Sequence, residues 1–367
     1  MRRREFVAAA GAAGLSLGSR PRFSTGPGRA PWPDAPTRWI WVHGDADRTL
    51  AAWRERFAHL RAAGIGGVLA GGPDAARAAE AARVEGLEFH RWTWILNRSG
   101  DAWVKANHPE WFTVSRNGQS SLEHPPYVGY YQWLCPTRPA VHTYLTELVT
   151  RIAREPRVAG VHFDYIRHCD VILPVALWAK YGLVQDREHP QFDFCYCDVC
   201  RAEFRRQAGV DPLELADPTT HAPWRRFRWD GVTGLVRRLA TAVRGAGKRV
   251  TAAVFPTPEI ARRLVRQAWD EWRLDAVFPM AYHGFYREPV SWIESAVHAG
   301  VAALPTATPL FAGLYLPDLS PDDLREAVRR AIAGGAAGVA LFEQSGLTEA
   351  HLDRFRARVT TPPSGRR

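Results

Sequence analysis

The amino-acid sequence predicts an α/β protein built as a single (β/α)8 TIM barrel, and three observations lead to that fold class. The chain has 367 residues and is 46% hydrophobic, which is enough to bury a large core. From Arg38 onward, short runs rich in β-branched and aromatic residues alternate with longer amphipathic runs, as in repeated βα units around a parallel sheet. No G-x-G-x-x-G or phosphate-loop motif follows the first strand, which favours a closed barrel over an open doubly wound sheet.

Eight strands and eight helices alternate along the predicted barrel. The predicted strands are 38–43, 66–71, 86–95, 158–164, 249–255, 274–282, 310–316 and 336–343. The predicted helices are 49–63, 74–84, 138–154, 224–246, 258–272, 288–300, 320–334 and 347–358. Two connections are long, 96–137 after the third strand and 165–223 after the fourth. Loops of this length in a compact domain are usually functional.

The two ends of the chain are predicted to lie outside the barrel, which we expect to cover 37–360. Residues 1–19 place consecutive arginines before a weakly apolar Ala/Gly run, the order found in a twin-arginine export signal; a disordered basic tail is the alternative. A Pro/Gly-rich linker completes 1–36, and 361–367 are expected to form a disordered tail. The expectation is therefore export by the twin-arginine machinery to the periplasm or the extracellular space, without stable membrane insertion.

The formal net charge of +10 does not by itself indicate a nucleic-acid partner. The positive residues are spread along helical stretches such as 236–244 and 325–330, and they do not form a stripe interleaved with aromatic residues. We therefore predict a solvated basic surface and no nucleic-acid partner, while an acidic polysaccharide stays open as a substrate.

The carboxyl ends of the predicted strands carry aromatic, carboxylate and amide groups, and in this fold the working residues lie at those ends. Sugars present apolar CH faces and hydroxyls, so flat rings and fixed polar groups suit a carbohydrate. The predicted substrate-binding residues are Trp41, His43, Trp94, Asn97, His162, Tyr165, Arg167, Tyr282, His283 and Tyr315. The chain has 15 tryptophans, of which we expect more than half to pack the barrel wall.

Asp164 is the strongest single candidate for a catalytic residue. It ends the apolar segment 160–163, where a carboxylate costs free energy unless it is paired, hydrogen-bonded or used. Arg167 is the expected partner that holds this carboxylate ionised, and a purely structural Asp–Arg pair is the alternative.

Several segments carry a resemblance to a known family. HFDYIR (162–167), the segments 134–145 and 254–263, and DAVFPMAYHGFY (275–286) resemble the glycosyl-hydrolase-like family-10 barrel proteins, over roughly 38–345. The resemblance implies an exported, sugar-acting barrel with the aspartate of strand four in its active site. Many relatives continue the motif as DYIRYP, whereas His168 and Cys169 follow Arg167 here.

The expected activity is hydrolysis of a glycosidic bond in a poly- or oligosaccharide, which normally needs two carboxyl groups and no cofactor. Asp164 supplies one of them. Glu343 is the first choice for the other because it closes the last predicted strand. Glu259 is the second choice, although it can equally favour the dipole of the helix that it begins.

Two alternatives to hydrolysis remain at this stage. One is a non-catalytic barrel that only binds glycans through its aromatic rim. The other is a metal-assisted polysaccharide deacetylase with a zinc site formed by His43, Asp45, His162 and His283, although no H-E-x-x-H spacing supports it.

The cysteines predict a metal site away from the chemistry. Cys195, Cys197 and Cys200 have C-x-C-x-x-C spacing, which suits structural zinc. The order of CPT followed by CYCDVC is similar to the structural zinc cluster of glycoside hydrolase family 42, and that resemblance implies Cys135 as the fourth ligand, with Cys169 in reserve. A pair of disulfides is the alternative in an oxidising compartment.

Overall fold

The computed structural model describes residues 32, 37–305, 307–342 and 344–356. The predicted export signal, the linker apart from Trp32, the C-terminal tail and Glu343 lie outside the described residues. The chain divides after Trp32, and the barrel belongs to the second unit, 33–367.

Eight parallel strands form the predicted barrel. They pair in the order β6-β5-β4-β3-β2-β1-β8-β7, and parallel bridges from Val277 to Leu310 and from Met280 to Gly313 join the two outer strands. Every strand lies inside its predicted range except for one added residue, Thr37, so the fold class is confirmed. The strands are β1 (Thr37–Val42), β2 (Gly67–Ala70), β3 (Glu88–Trp94), β4 (Gly160–Asp164), β5 (Arg249–Val254), β6 (Ala276–Pro279), β7 (Phe311–Tyr315) and β8 (Gly338–Phe342).

The helices surround the strands, and eight of them correspond to the predicted ones. The predicted helix 258–272 is shorter in the structure, because Arg266 adopts a left-handed conformation (φ 54°) and ends the helix at Val265. Two further helices lie in the long connections. The helices are α1 (Leu50–Ala62), α2 (Ala75–Val84), α3 (Ala102–Asn107), α4 (Pro139–Ala153), α5 (Asp198–Ala208), α6 (Ala222–Gly245), α7 (Pro258–Val265), α8 (Trp292–Ala303), α9 (Pro321–Ala333) and α10 (Glu349–Arg356).

Side chains of each strand alternate between the helical layer and the barrel interior. Outward residues such as Ile40 belong to the main hydrophobic core. Inward residues fill the interior, where the rings of Trp39 and Phe278 meet edge to face with centroids 5.7 Å apart. Gly160 makes this filling fit, because an added Cβ would lie 2.7 Å from Nε2 of His90. The interior is therefore packed rather than open.

A chain of hydrogen bonds crosses that interior. Nε1 of Trp41 donates to Nε2 of His162 (3.2 Å), so the other ring nitrogen of His162 carries the proton and donates to Oγ1 of Thr251 (2.9 Å). The hydroxyl of Thr251 in turn donates to Nδ1 of His90 (3.2 Å), and Nε2 of His90 donates to Glu88 (2.9 Å). Burial lowers the pKa of His162 and keeps its ring neutral. This series of hydrogen bonds fixes the orientation of Trp41.

The two long loops predicted after β3 and β4 are present and are joined to each other. The first contains α3 and the second contains α5. An antiparallel bridge links Ser115 to Phe194, and the backbone N–H of Tyr196 donates to the carbonyl of Val114 (2.8 Å). Within the described part of the chain, none of the helices has the length and apolar character needed to cross a membrane.

Candidate active site

A cavity of about 400 Å³ opens at the carboxyl ends of the strands, beside the two joined loops. Its size is in the usual range for small-molecule and sugar-sized sites. Seven of the predicted site residues line it, namely Trp41, His43, Trp94, Asp164, Tyr165, Arg167 and Tyr282.

Asp164 lies at the end of β4 with both carboxylate oxygens engaged. Nε1 of Trp92 donates to Oδ2 (2.9 Å), and the backbone N–H of Tyr165 donates to Oδ1 (2.7 Å). The second contact depends on a left-handed bend at Tyr165 (φ 49°), an uncommon conformation for a bulky residue. Burial raises the pKa of Asp164, outweighing the two hydrogen bonds, which lower it. The carboxyl group is thus oriented and remains protonated to higher pH than a free aspartate.

Arg167 does not pair with Asp164, which corrects the expected ion pair. Its guanidinium binds Asp170 instead, with Nη1 2.9 Å from Oδ2. The same guanidinium packs over the rings of Trp133 and Phe255 at 4.9 and 5.0 Å from their centroids. Burial would lower the pKa of Arg167, but the charge of Asp170 raises it. Asp164 lies three residues before Arg167 and Asp170 lies three residues after it. Both can pair with the arginine, and the sequence alone does not show which of them does.

Two groups of aromatic rings line the cavity. In one group the ring of Trp94 lies 4.6 Å from that of Tyr165 and 6.1 Å from that of Tyr130. In the other group Tyr282 and Phe342 are nearly parallel, at 12° and 5.9 Å. Flat rings suit the apolar faces of a pyranose.

Four predicted substrate-binding residues do not line the cavity. His162 lies below it in the barrel interior, with both ring nitrogens hydrogen-bonded. Asn97 is buried, and its Oδ1 accepts from the backbone N–H of Ser99 (3.2 Å). His283 is buried in the short turn after β6, and Tyr315 packs behind Tyr282 at 5.4 Å. The cavity is therefore lined by other residues than these four.

Several residues that line the cavity were not predicted. Most lie in the long loops, where no periodicity places them. Short aromatic runs in otherwise polar loop sequence were the available signal. These residues are Tyr130, Tyr131, Asp170, Lys180, Tyr181, Phe285, Tyr286 and Phe342.

The family model described as Glycosyl hydrolase-like 10 matches residues 72–304. The chain belongs to this family. No curated protein matches its sequence. The four segments that carried the resemblance, HFDYIR among them, all fall inside the matched region, and the family name agrees with the carbohydrate-type cavity.

Solved glycoside hydrolase structures share the fold of this family member. The glycoside hydrolase domain of PgaB (BpsB) from Bordetella bronchiseptica is 14% identical over 89% of this chain and 100% of that one, with a TM-score of 0.67. The catalytic domain of β-amylase from Paenibacillus polymyxa is 10% identical over 88% and 97%, with a TM-score of 0.62. A catalytic mutant of Gan42B, a GH42 β-galactosidase from G. stearothermophilus, is 10% identical over 85% and 51%, with a TM-score of 0.58. At these identities the similarity shows the barrel fold alone.

Neither candidate for the second catalytic carboxyl group is among the described residues that line this cavity. Glu343, the first choice, lies outside the described residues, although it directly follows Phe342 of the cavity wall. Glu259, the second choice, is exposed in the first turn of α7 and does not line the cavity, as its helix-dipole alternative predicts. Among the described lining residues the only carboxyl groups are Asp164 and Asp170.

The histidine-based metal site considered for a deacetylase does not form in the described structure. Both nitrogens of His162 are engaged within the barrel, and Asp45 pairs with Arg48 (3.2 Å). In the described parts of the chain, the cysteine cluster is the only group of three or more His, Cys, Asp or Glu residues within reach of one ion.

Four buried cysteines form that group, with all four Sγ atoms within 4.8 Å of one another. Sγ of Cys135 lies 3.5 Å from that of Cys200 and 3.6 Å from that of Cys197. Tetrahedral zinc with Zn–S distances of about 2.3 Å spaces its sulfurs about 3.8 Å apart, so Cys135, Cys195, Cys197 and Cys200 are close enough to hold one metal ion. All five cysteines of the chain are free, and Cys169 lies outside the group.

Proposed function

We propose that this member of the Glycosyl hydrolase-like 10 family is an exported enzyme that hydrolyses glycosidic bonds in a poly- or oligosaccharide, with Asp164 in its catalytic machinery. The observation that supports this proposal is the position of Asp164 at the end of β4. There the carboxyl group faces a cavity walled by aromatic rings, and burial raises its pKa.

The chemistry follows from that pKa. A carboxyl group that keeps its proton to higher pH than a free aspartate can give that proton to the leaving glycosidic oxygen, and it can then take a proton from water. The hydrogen bonds from Trp92 and from the amide of Tyr165 keep the group in one orientation during both transfers. Glu343 is the proposed second carboxyl group because it follows Phe342 on the cavity wall.

The test is release of reducing ends from soluble starch, β-galactan, chitosan and polygalacturonate by the wild type and by Asp164→Asn. We expect the variant to lose about 10³-fold or more in rate, because an amide cannot exchange the proton. Glu259→Gln is the matched control, since it removes an exposed carboxyl group away from the cavity. Equal rates for the wild type and Asp164→Asn would contradict the proposal.

A non-catalytic glycan-binding barrel is the second candidate function. The observation that favours it is that Asp170 is already paired with Arg167, so Asp164 is the one carboxyl group without an ion pair among the described cavity residues. Under this alternative, polysaccharide binds the wild type and no reducing ends appear.

Two further proposals concern the protein around the site. We propose that the four-cysteine cluster holds structural zinc, because its four thiols are buried, close together and closed to a substrate. We also propose export by the twin-arginine route, on the order of residues 1–19. Fractionation of cells producing the full chain or an Arg2→Lys/Arg3→Lys variant tests export, and equal amounts outside the cytoplasm would contradict it.

A further inference from the structure

One tryptophan outside the cavity is held open to solvent on the long loop after β3. Trp103, in α3, keeps 55% of its surface exposed, more than any other described Trp, Tyr or Phe. The next most exposed aromatic residue is Tyr130 at 45%, which lines the cavity. Exposed indole surface forgoes the free energy of burial and is available to a ligand.

Neighbouring rings fix Trp103 in place. The ring of Tyr144 lies nearly parallel to it, at 20° and 6.0 Å, and Trp111 meets its edge at 6.4 Å. Trp111 is itself stacked on His108 at 3.8 Å and 5°. The hydroxyl of Tyr144 donates to Asp101, which also caps the first turn of α3. Trp103 and Tyr144, called the platform below, thus form one surface that neighbouring side chains support.

A groove leads from the cavity toward this platform. It has a volume of about 470 Å³ and shares His43, Trp92 and Trp94 with the cavity. Arg98 lines the groove and donates to the carbonyl of Trp94 (3.0 Å) on one side and to the hydroxyl of Tyr144 (3.2 Å) on the other. One guanidinium therefore contacts both the cavity wall and the platform.

We propose that the platform is a distal binding site for a polysaccharide chain that also occupies the Asp164 cavity. This inference rests on the proposed function, because it takes the occupant of the cavity to be a glycan. The platform offers a flat apolar surface to the CH face of a sugar ring, and Arg91 offers N–H groups to hydroxyls along the groove. Arg98 is paired with Asp101 (2.5 Å), so its part is to connect the cavity wall to the platform. This site would favour a polymer that occupies the cavity and the platform together over a small glycoside that occupies one of them.

Electrophoresis in native gels containing soluble starch, β-galactan, chitosan or polygalacturonate tests the platform. All variants carry Asp164→Asn so that the polymer stays intact. We expect Trp103→Ala to weaken the affinity for the retarding polymer by about 3- to 10-fold, the usual effect of one aromatic contact, and Trp103→Tyr to restore most of it. Trp229→Ala, which removes a half-buried tryptophan from α6, is the matched control and leaves retardation unchanged.

The outcomes separate this inference from the proposed function. Equal retardation of Trp103→Ala and its parent, or no retardation of the parent in any gel, overturns the distal site. Retardation that depends on Trp103 while the wild type releases no reducing ends overturns hydrolysis and leaves the distal site standing.

Discussion

Two sites with reactive side chains, the Asp164 cavity and the four-cysteine cluster, adjoin the same pair of long loops, and they differ in access to a ligand. Asp164 faces a cavity of about 400 Å³, and burial raises its pKa although both its oxygens accept hydrogen bonds. The four cysteines are completely enclosed, and their partners are each other. Reactive groups are present at both sites, so their presence does not identify the site of chemistry. The two sites differ in access to a ligand, which the Asp164 cavity has and the cysteine cluster lacks.

The largest expected effect concerns the four-cysteine cluster. Cys200→Ala should lower the free energy of unfolding by about 4–5 kcal/mol or more, because loss of a metal is among the most damaging changes to a fold. Urea unfolding and zinc content by mass spectrometry check this expectation. Cys169→Ala is the matched control, because Cys169 is buried outside the group and should keep one zinc per chain. Wild-type protein without zinc, or with a disulfide between any two of the four cysteines, would refute the metal site.

The second prediction concerns the Asp164 cavity and gives the direction in which the pKa of Asp164 should change. The hydrogen bond from Trp92 lowers the pKa of Asp164, so Trp92→Phe should raise that pKa further. We expect the limb of the pH–rate profile that belongs to Asp164 to move up by about one pH unit, as for loss of one hydrogen bond to a charged group. Trp53→Phe is the control, because Nε1 of Trp53 makes an equivalent bond to Asp74 (2.6 Å) away from the cavity. An unchanged profile for Trp92→Phe would mean that Asp164 does not control the rate.

The third prediction concerns the hydrogen bonds in the barrel interior, below the Asp164 cavity. Thr251→Val breaks the hydrogen-bond chain below Trp41 and removes one hydrogen-bond partner from each of two buried imidazoles. The free energy of unfolding should fall by about 1–3 kcal/mol, the usual cost of an unsatisfied buried group. Thr143→Val, on the exposed side of α4, should stay within about 0.5 kcal/mol. Equal stability of both variants in urea would show that the chain contributes nothing.

The smallest expected effect is the stability gained by replacing the carboxyl group of Asp164, the proposed catalytic residue. Because the folded pKa of Asp164 is raised, its stabilising contribution is full below its unfolded pKa of about 3.9 and is lost as the pH rises through the folded pKa. Asp164→Asn should therefore be more stable than the wild type at pH 7, by about 0.5–2 kcal/mol, and this gain should vanish at pH 3. Asp211→Asn should behave in the opposite way, because hydrogen bonds from Arg201 lower the pKa of Asp211. Calorimetry at both pH values measures the two differences.

The barrel could be predicted from the sequence because its strands are short apolar runs bounded by clear breaks, and periodicity is a local property. The aspartate at the end of β4 could be placed for the same reason. The partner of Arg167 could not, because the choice between Asp164 and Asp170 depends on how the loop folds over Trp133. Tyr130 and Tyr181 were missed because aromatic residues in long loops carry no periodic signal. His162 was assigned to the correct face of its strand, but its depth along the barrel axis depends on which layer its neighbours fill.

The joined loops also determine how the cavity of this barrel can change. Cys135 belongs to the loop after β3, and Cys195 belongs to the loop after β4, so the cysteine cluster connects the two segments that carry Tyr130 and Tyr181. An insertion in one loop would displace its cysteine from the shared cluster unless the other loop changed with it. The two loops should therefore be exchanged together between barrels when a different substrate range is wanted.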